Sequence, residues 1–310
     1  MQEDRGFRLL RIYEMLNKGI SLKKTMLAKQ FEVSEKTVQR DIEDLRTYLA
    51  EEHAMDIIAK IRYDKAKNEY RLVRSEREWL TSEEILALCK ILLDSRAFHK
   101  EELEPMLDKL LRQIEPEGRK IIQEMLKNER FHYIPLRHGK RLLSVIWALS
   151  RAITRCAVTE FTYTRQDGDK GVKKVKPVAL LFSEFYFYLI AWFAKGTHDF
   201  PAVFRVDRIE GLRETEEKFS IPYAERFSDG EFRKRVQFMY PGKLEKVTFR
   251  FKGDSVEAVL DRLPTASILD ETDGIYTITA EVYGRGIDMW LRSQGDFVKD
   301  VKKKVAIQSR

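Results

Sequence analysis

Cationic and hydrogen-bonding side chains are concentrated on one side of a short stretch near the N-terminus. Apolar residues recur there at three- and four-residue spacing, which predicts a helix with one face packed against a core. These apolar residues are Val38, Ile42, Leu45 and Leu49. The opposite face then carries Lys36, Thr37, Gln39, Arg40 and Glu43. Such groups in the first turns of a helix suit the major groove of duplex DNA, where base edges accept and donate hydrogen bonds. We therefore predict that this helix contacts base edges.

The segments before this helix predict how it is held. Two further helices are expected over residues 7–16 and 22–31, separated from the third by a tight break at residues 32–33. Serine is a preferred N-cap, so Ser21 is predicted to cap the second helix and Ser34 the third. This order of helices is typical of a helix-turn-helix.

A β-hairpin is predicted after the third helix, with strands over residues 57–63 and 69–73 joined by a polar turn. Three helices and a hairpin with a basic tip make a winged helix-turn-helix domain, which we place at residues 1–74. Lys65 and Lys67 in the turn would contact phosphates and add affinity without sequence preference. The complete set of predicted DNA contacts is Lys23, Thr25, Ser34, Lys36, Thr37, Gln39, Arg40, Lys65 and Lys67.

Residues 36–42 resemble the recognition helices of bacterial regulators of the deoxyribonucleoside-repressor type. A polar helix face is also typical of an ordinary solvated helix, and winged helices also serve as protein-interaction modules. The order of helix lengths, break, cap and hairpin favours DNA binding over both alternatives.

Residues 75–138 predict a helical connector with much apolar surface. Thr81 or Ser82 can cap its first helix. We expect part of the apolar surface to bury against a second copy of the chain, giving a homodimer. The alternative is that all of it packs within one chain. The apolar stripes are Ile85, Leu88, Leu92 and Leu93; Leu103, Met106, Leu107, Leu110 and Ile114; and Ile121, Ile122 and Met125.

Residues 139–228 predict a helix followed by strands that suit a small barrel or a strongly bent sheet. The strands are expected over residues 158–163, 172–181, 185–192 and 203–209.

The third of these strands is almost continuously apolar, so both of its faces are predicted to be covered. Tyr186 and Tyr188 lie on the face that needs a helix, a partner chain or a ligand. Arg205 and Arg208 follow in an apolar context, where a guanidinium can bind carboxylate or phosphate, or stack on a base. The alternative for these arginines is a structural ion pair, for example of Arg208 with Asp207.

Phe187-Tyr188-Leu189, with Pro177 upstream and residues 204–209 downstream, resembles the WYL domain of bacterial transcriptional regulators. The order of winged helix, helical connector, WYL barrel (similar to an Sm or SH3-like fold) and C-terminal extension, called WCX, also resembles that family. The resemblance implies a homodimeric transcription factor whose WYL domain senses a nucleotide or single-stranded nucleic acid. The ligand residues that it implies are Tyr163, Lys176, Tyr188, Arg205 and Arg208.

Two positions depart from the family pattern. Phe187 replaces the tryptophan of the motif and keeps an aromatic wall. Ala202 stands where the family often has an arginine three residues before Arg205, which removes a potential phosphate contact.

Residues 240–310 predict a compact α+β domain, so the chain as a whole is expected to be a multidomain α+β protein. Its resemblance to WCX rests on residues 286–295. A basic strand or tail follows Gly295. The expected elements are strand 246–251, helix 255–263, strands 267–269 and 274–282, and helix 286–293.

Composition excludes several classes of function. The 310 residues carry a formal charge of +7, which is compatible with local basic faces that meet phosphates. Two distant cysteines and five scattered histidines have no metal-ligand spacing, and we find no Gly-rich phosphate loop and no nucleophile elbow. We therefore expect no catalytic residues, no metal site, no resident cofactor and no enzyme activity. No signal peptide or membrane-length apolar run is present, so a cytoplasmic location without membrane contact is expected.

The sequence therefore predicts a sequence-specific, DNA-binding transcriptional regulator, with repression favoured over activation. Its expected partners are a duplex DNA operator, a second copy of the chain, and a nucleotide or oligonucleotide effector. The alternative is a non-enzymatic interaction adaptor with a winged-helix module.

Overall fold

The computed structural model describes residues 4–51, 59–74, 80–196, 199–221 and 226–305. The chain is a multidomain α+β protein with 42% helix and 31% strand, which confirms the predicted fold class. It divides into two compact units, Met1–Asp94 with Leu103–Tyr133, and Ser95–Glu102 with Ile134–Arg310. The finer four-domain division stays a prediction.

The N-terminal part of the first unit contains α1 (Arg5–Asn17), α2 (Lys24–Gln30), α3 (Glu35–Glu51) and the antiparallel hairpin of β1 (Ala59–Asp64) and β2 (Glu69–Arg74). The predicted three helices and hairpin are therefore present, and the start of the first predicted strand lies outside the described residues. One core joins all five elements. Its central side chains are Ile12, Leu16, Leu27, Val38, Ile42 and Ile61.

The predicted cap of α2 is wrong, whereas the predicted cap of α3 is confirmed. The cap position of α2 is Lys23, because Leu22 pairs with Tyr70 of β2 and holds this segment extended. The two backbone hydrogen bonds of that bridge are 2.9 and 2.8 Å long. Ser34 Oγ accepts a 3.1 Å hydrogen bond from the Thr37 amide, as an N-cap should.

The connector helices are α4 (Ser82–Ser95), α5 (Lys100–Leu111) and α6 (Pro116–Phe131). Thr81 caps α4 in a capping box, because its hydroxyl accepts from the Glu84 amide and the Glu84 carboxylate accepts from the Thr81 amide.

One inward-facing position of the connector is wrongly predicted. Leu88 is 38% exposed, because Ile85, Cys89 and Leu93, spaced four residues apart, form the buried face of α4. Buried positions elsewhere in the connector include Leu103, Leu107, Ile114 and Ile122.

The second unit begins with a five-stranded antiparallel sheet in the order β6-β5-β4-β3-β7. Helix α7 packs against β3 and β4, and the core between them includes Leu149, Phe161, Val175 and Leu189. The elements are α7 (Leu143–Thr154), β3 (Ala157–Thr164), β4 (Lys170–Ser183), β5 (Tyr186–Phe193), β6 (Ala202–Arg205) and β7 (Ile209–Lys218).

The prediction of one strand over residues 203–209 is wrong. Val206–Arg208 form a single 3₁₀ turn that separates β6 from β7. Strand β7 was not predicted as such, because most of its side chains are exposed glutamates and basic residues without apolar alternation.

A second, four-stranded sheet in the order β11-β8-β10-β9 follows α8, and its core includes Phe249, Ile278 and Trp290. The predicted β-α-β-β-α order is present, and the basic segment after Gly295 forms a strand. Helix α8 was not predicted. The elements are α8 (Asp229–Arg235), β8 (Leu244–Phe251), α9 (Val256–Arg262), β9 (Ser267–Thr272), β10 (Ile275–Tyr283), α10 (Gly286–Ser293) and β11 (Val298–Val305). Among the helices that the structure describes, none has the length and apolar character to cross a membrane.

Candidate nucleic-acid and effector sites

Helix α3 separates a buried apolar face from an exposed polar face. Val38 and Ile42 are fully buried, whereas Lys36 and Arg40 are exposed on the other side. Thr37 lies half-buried between them, with its hydroxyl 2.9 Å from that of Ser34. The two cations can therefore reach a ligand without disturbing the core.

Gln39 is held by the wing, which the sequence did not reveal. Its side-chain oxygen accepts a 2.8 Å hydrogen bond from the Tyr70 hydroxyl of β2, and its Nε2 donates to Glu43 at 2.9 Å. An amide has two donor hydrogens and two acceptor lone pairs, so each end keeps capacity for a base edge. The wing thus orients Gln39 and leaves it able to bind.

A buried ion pair fixes α3 to α1. Arg8 donates to Asp41 through Nε at 2.6 Å and Nη2 at 3.2 Å, and both side chains are buried. Burying both charges is tolerable only because the pairing is bidentate. The sequence contains one sign that Arg8 is buried: Arg8, Ile12 and Leu16 are spaced four residues apart and so lie on the apolar face of α1.

The wing turn keeps its lysines at the surface. The Asp64 carboxylate accepts from the Ala66 and Lys67 amides at 2.9 and 3.2 Å, which closes the turn. Lys65 is exposed, and Lys67 Nζ lies 3.4 Å from a carboxylate oxygen of Glu117.

The two predicted contacts on the segment leading into α2 are also exposed. Lys23 Nζ lies 3.7 Å from a carboxylate oxygen of Glu69, and Thr25 lies at the surface of the first turn of α2. Exposed ion pairs such as this one and that of Lys67 are weak, so phosphates can replace the carboxylates.

In the second unit, Arg205 occupies the centre of an aromatic and charged cluster. It donates to Asp207 through Nε at 3.0 Å and Nη2 at 2.8 Å, and its guanidinium carbon lies 3.4 Å from the centre of the Tyr186 ring. Tyr188 is its direct neighbour across β5 and β6. Asp207 therefore pairs with Arg205, and the ion pair with Arg208 that the sequence suggested does not form.

Two tyrosines of the predicted ligand set have different surroundings. Tyr163 is buried in the core of the sheet, and its hydroxyl accepts a 3.1 Å hydrogen bond from the Arg205 amide. Burial raises the pKa of Tyr188 to about 12, so its hydroxyl stays neutral and can donate. Tyr163 thus holds the backbone of Arg205, while Tyr188 lies beside its side chain.

Lys176 lies apart from this cluster. Arg208 follows Asp207 in the 3₁₀ turn and is half-buried, and among the described residues it forms no ion pair. Lys176 pairs across the sheet with Trp192, four residues or about 13 Å beyond Tyr188 along β5.

Helix α8 separates these two ends of the β5 face, because Ile190 packs in a core cluster with Phe232 and Val236. Trp192 lines a separate cleft of about 490 Å³. The structure therefore brings together Tyr188 and Arg205, and leaves Lys176 outside.

The sequence analysis missed Tyr186 and Asp207 as members of this cluster. The pairing of Asp207 with Arg205 depends on the 3₁₀ turn at Val206–Arg208, where a strand was predicted. The Tyr186 ring was assigned to the correct face, but its contact with Arg205 depends on the pairing of β5 with β6. Among the described residues, no group of three or more His, Cys, Asp or Glu side chains could hold a metal ion.

Two known protein families match parts of this chain. Residues 8–62 match the family of the HTH domain, and residues 144–214 match the WYL domain. The chain combines an N-terminal HTH domain with a WYL domain, the arrangement of a WYL-domain transcriptional regulator. Both matched families are regulatory rather than enzymatic. The resemblance noted in the sequence is thereby confirmed.

Two solved structures align with this WYL-domain regulator at low identity. Proteasome accessory factor B/C (PafBC) of Arthrobacter aurescens is 17% identical with a TM-score of 0.29, and the alignment covers 95% of this chain and 44% of that one. A CRISPR Cas-related protein is 14% identical with a TM-score of 0.33, covering 95% of this chain and 77% of that one.

The regulator thus spans less than half the length of PafBC. TM-scores of this size do not establish a common arrangement, so the assignment rests on the two domain matches. No curated protein matches the chain.

Proposed function

We propose that this regulator is a sequence-specific repressor that binds a duplex operator as a homodimer and responds to a nucleotide or single-stranded nucleic acid. The observation that carries the DNA-binding part is the polar face of α3, with Lys36 and Arg40 exposed above the buried Val38 and Ile42. Arginine and lysine at such positions bind guanine edges in the major groove. Gln39, held by Tyr70, supplies a second oriented group.

The wing supports a division of labour in DNA binding. Lys65 and Lys67 lie on an exposed turn, where they can neutralise phosphates of any sequence. The α3 side chains then supply base preference, and the wing supplies affinity.

Exposed apolar side chains on the connector support the homodimer. Leu88 and Ile91 of α4 and Ile121 and Met125 of α6 are between 38% and 64% exposed. Apolar surface of this kind marks interaction sites, and a two-fold dimer would present two copies of α3 to two half-sites. Sedimentation analysis of Ile121→Asp checks this, with Val172→Asp on an exposed strand position as the matched control. A dimeric Ile121→Asp variant would exclude this surface.

The Arg205 cluster supports an anionic, base-containing effector. Asp207 uses Nε and one Nη2 hydrogen of Arg205, so the remaining N–H groups can bind a phosphate. Tyr186 and Tyr188 add aromatic faces and a neutral hydroxyl. Ala202 removes one cation that the family often has, which favours a ligand of low charge over a highly charged one. The effector can change DNA affinity only through its differential affinity for two arrangements of the regulator.

Repression requires only that the bound dimer occupies a promoter, so it needs no additional activating surface. No catalytic role is proposed, and incubation with nucleotides and nucleic acid, with and without divalent metal, should give no turnover. A regulator of this kind acts where the chromosome lies, which in a bacterium is the cytoplasm.

The test is to recover genomic duplex fragments bound by the purified chain. We expect a two-fold symmetric motif in the wild type and loss of enrichment in the double variant Lys36→Ala/Arg40→Ala. Lys120→Ala/Lys127→Ala on α6 removes equal charge away from α3 and should enrich the same motif. If the wild type enriches no motif, the proposal fails, and the result favours a protein-interaction adaptor with a winged-helix module.

A further inference from the structure

Lys140, on the loop before the WYL match, and Lys170, the first residue of β4, both pair with Glu210. Lys140 Nζ lies 2.8 Å from one carboxylate oxygen of Glu210, and Lys170 Nζ lies 3.1 Å from the other. The two lysines hold the pKa of Glu210 at about 2, so it is a carboxylate at any physiological pH. Glu210 follows the 3₁₀ turn that contains Asp207, so this contact holds the loop against that turn.

A second contact fixes the end of the same loop. The Glu102 carboxylate accepts hydrogen bonds from the Leu142 and Leu143 amides at 2.8 and 3.0 Å. The first amides of α7 have no acceptor within the helix, so a carboxylate that accepts from them stabilises the start of the helix. Two carboxylates therefore hold the C-terminal end of the loop.

His138 lies two residues before Lys140 and has one unpaired ring nitrogen. Its Nδ1 accepts a 3.0 Å hydrogen bond from the Lys140 amide, so the neutral ring carries its proton on Nε2. Nε2 is buried and has no hydrogen-bond partner among the described residues. A buried donor without a partner is unfavourable and uncommon, and a ligand is one of the few ways to satisfy it.

The groups around this ring identify the chemistry of such a ligand. The charged and titratable groups that act on His138 are Asp207, Arg205, Lys140 and His99. Asp207, the only acid among them, is already bound by Arg205 through both carboxylate oxygens. The remaining free groups are hydrogen-bond donors, so the position suits an anionic oxygen.

We propose that His138 donates its Nε2 hydrogen to a phosphate oxygen of the effector held by Arg205, so that the loop before the WYL domain completes the ligand site. This inference rests on the proposed effector site at Arg205. The ligand class is a phosphate monoester or diester, as in a nucleotide or the end of a single strand. His138 lies outside the residues that match the WYL family, so the family motif does not include it.

His138 can donate to a phosphate in its neutral form. Burial lowers the pKa of His138, so the ring is neutral near pH 7 when no ligand is bound. Its Nδ1 accepts from the Lys140 amide, so protonation of Nδ1 would place two donors against each other. The neutral ring already carries a hydrogen on Nε2, and donation to phosphate therefore needs no proton uptake by His138.

Inorganic phosphate is the probe, titrated into the full chain at pH 7 and at pH 8 while the His138 ring nitrogens are followed by NMR. We expect phosphate to shift the Nε2 resonance of the neutral ring. His138→Phe should lower phosphate affinity roughly tenfold to a hundredfold. His138→Gln keeps an N–H donor and should bind phosphate better than His138→Phe. His132→Gln, at an exposed histidine six residues earlier in the chain, is the control and should match the wild type.

The outcomes separate this inference from the proposed effector site. If Arg205→Ala loses phosphate binding while His138→Phe and His138→Gln behave like wild type, the effector site stands and the role of His138 is refuted. If Arg205→Ala binds phosphate like wild type, the proposed effector site fails. Absence of phosphate binding by the wild type at both pH values overturns the inference as well. Circular dichroism of each variant separates loss of binding from loss of folding. If His138→Phe is misfolded, the NMR titration of the wild type carries the test, because an Nε2 resonance that does not move when phosphate binds overturns the inference.

Discussion

Replacing Asp41 with alanine should destabilise the N-terminal helices by about 3–5 kcal/mol, although Asp41 lies within the recognition helix. Its carboxylate accepts two hydrogen bonds from Arg8, and the side chains of Arg8 and Asp41 are only 7% and 1% exposed. Removing the carboxylate takes away the acceptor of the Nε and Nη2 hydrogen bonds of a buried guanidinium. That loss is much larger than the value of a surface ion pair.

A neighbouring pair provides the comparison. Asp44 also pairs with an arginine of α1, Arg5, but these side chains are 45% and 63% exposed. Water screens such a pair, so Asp44→Ala should cost about 1 kcal/mol or less. The two substitutions remove the same charge from the same helix, so only burial separates their expected effects.

Amide hydrogen exchange of the full chain, measured by mass spectrometry on peptides of α1 and α3, is the appropriate assay because it reports local opening. Each 1.4 kcal/mol changes the opening equilibrium tenfold, so Asp41→Ala should exchange roughly 10²- to 4 × 10³-fold faster than wild type. Asp44→Ala should stay within about tenfold of wild type. Equal exchange in Asp41→Ala and wild type would refute the role given to this ion pair.

Three further substitutions test other parts of the structure. Lys65→Ser/Lys67→Ser should weaken binding to all sequences and reduce the slope of log affinity against log salt by about 1.8; a changed motif with an unchanged slope would contradict the wing's role. Tyr70→Phe removes the hydroxyl that orients Gln39 and should weaken operator binding by about 0.5–1.5 kcal/mol in titrations, without altering thermal stability of the second unit. Gly286→Ala would place a Cβ against the Gln237 carbonyl and should destabilise the chain by about 1–3 kcal/mol in thermal melts, whereas Gly230→Ala has open space and should be neutral.

Helices whose apolar residues recur at one regular spacing could be predicted from the sequence. The three- and four-residue spacing of Val38, Ile42, Leu45 and Leu49 gave the buried face of α3, and Ser34 marked its start. Helix α10 was predicted with its observed bounds, because Gly286 and Gly295 enclose an amphipathic stretch. In such segments the information lies within a few residues of the element itself.

Contacts between distant residues could not be predicted in this way. The pairs Arg8 with Asp41 and Gln39 with Tyr70 are separated by more than 30 residues, and each partner alone has an ordinary local context. The bridge of Leu22 with Tyr70 displaced the start of α2 for the same reason. Contacts between distant segments determine these positions, and the spacing of residue types along the sequence does not reveal such contacts.

The candidate effector site was predicted in part. Tyr188 and Arg205 lie together as expected, because the β5–β6 register places them opposite each other. Lys176 lies elsewhere, since α8 covers the middle of the same face and no local signal announced that helix. His138 was only one of five scattered histidines without metal-ligand spacing, because its unpaired nitrogen becomes visible only in the folded loop.

The central claim is that the exposed face of α3 reads base edges, and selection from random duplex DNA with wild type and Arg40→Ala tests it most directly. The variant should retain the wild-type motif but lose preference at one base pair of each half-site, by about 1–3 kcal/mol. An Arg40→Ala variant that selects the full wild-type motif with undiminished discrimination at every position would contradict the assignment of α3 as the recognition helix.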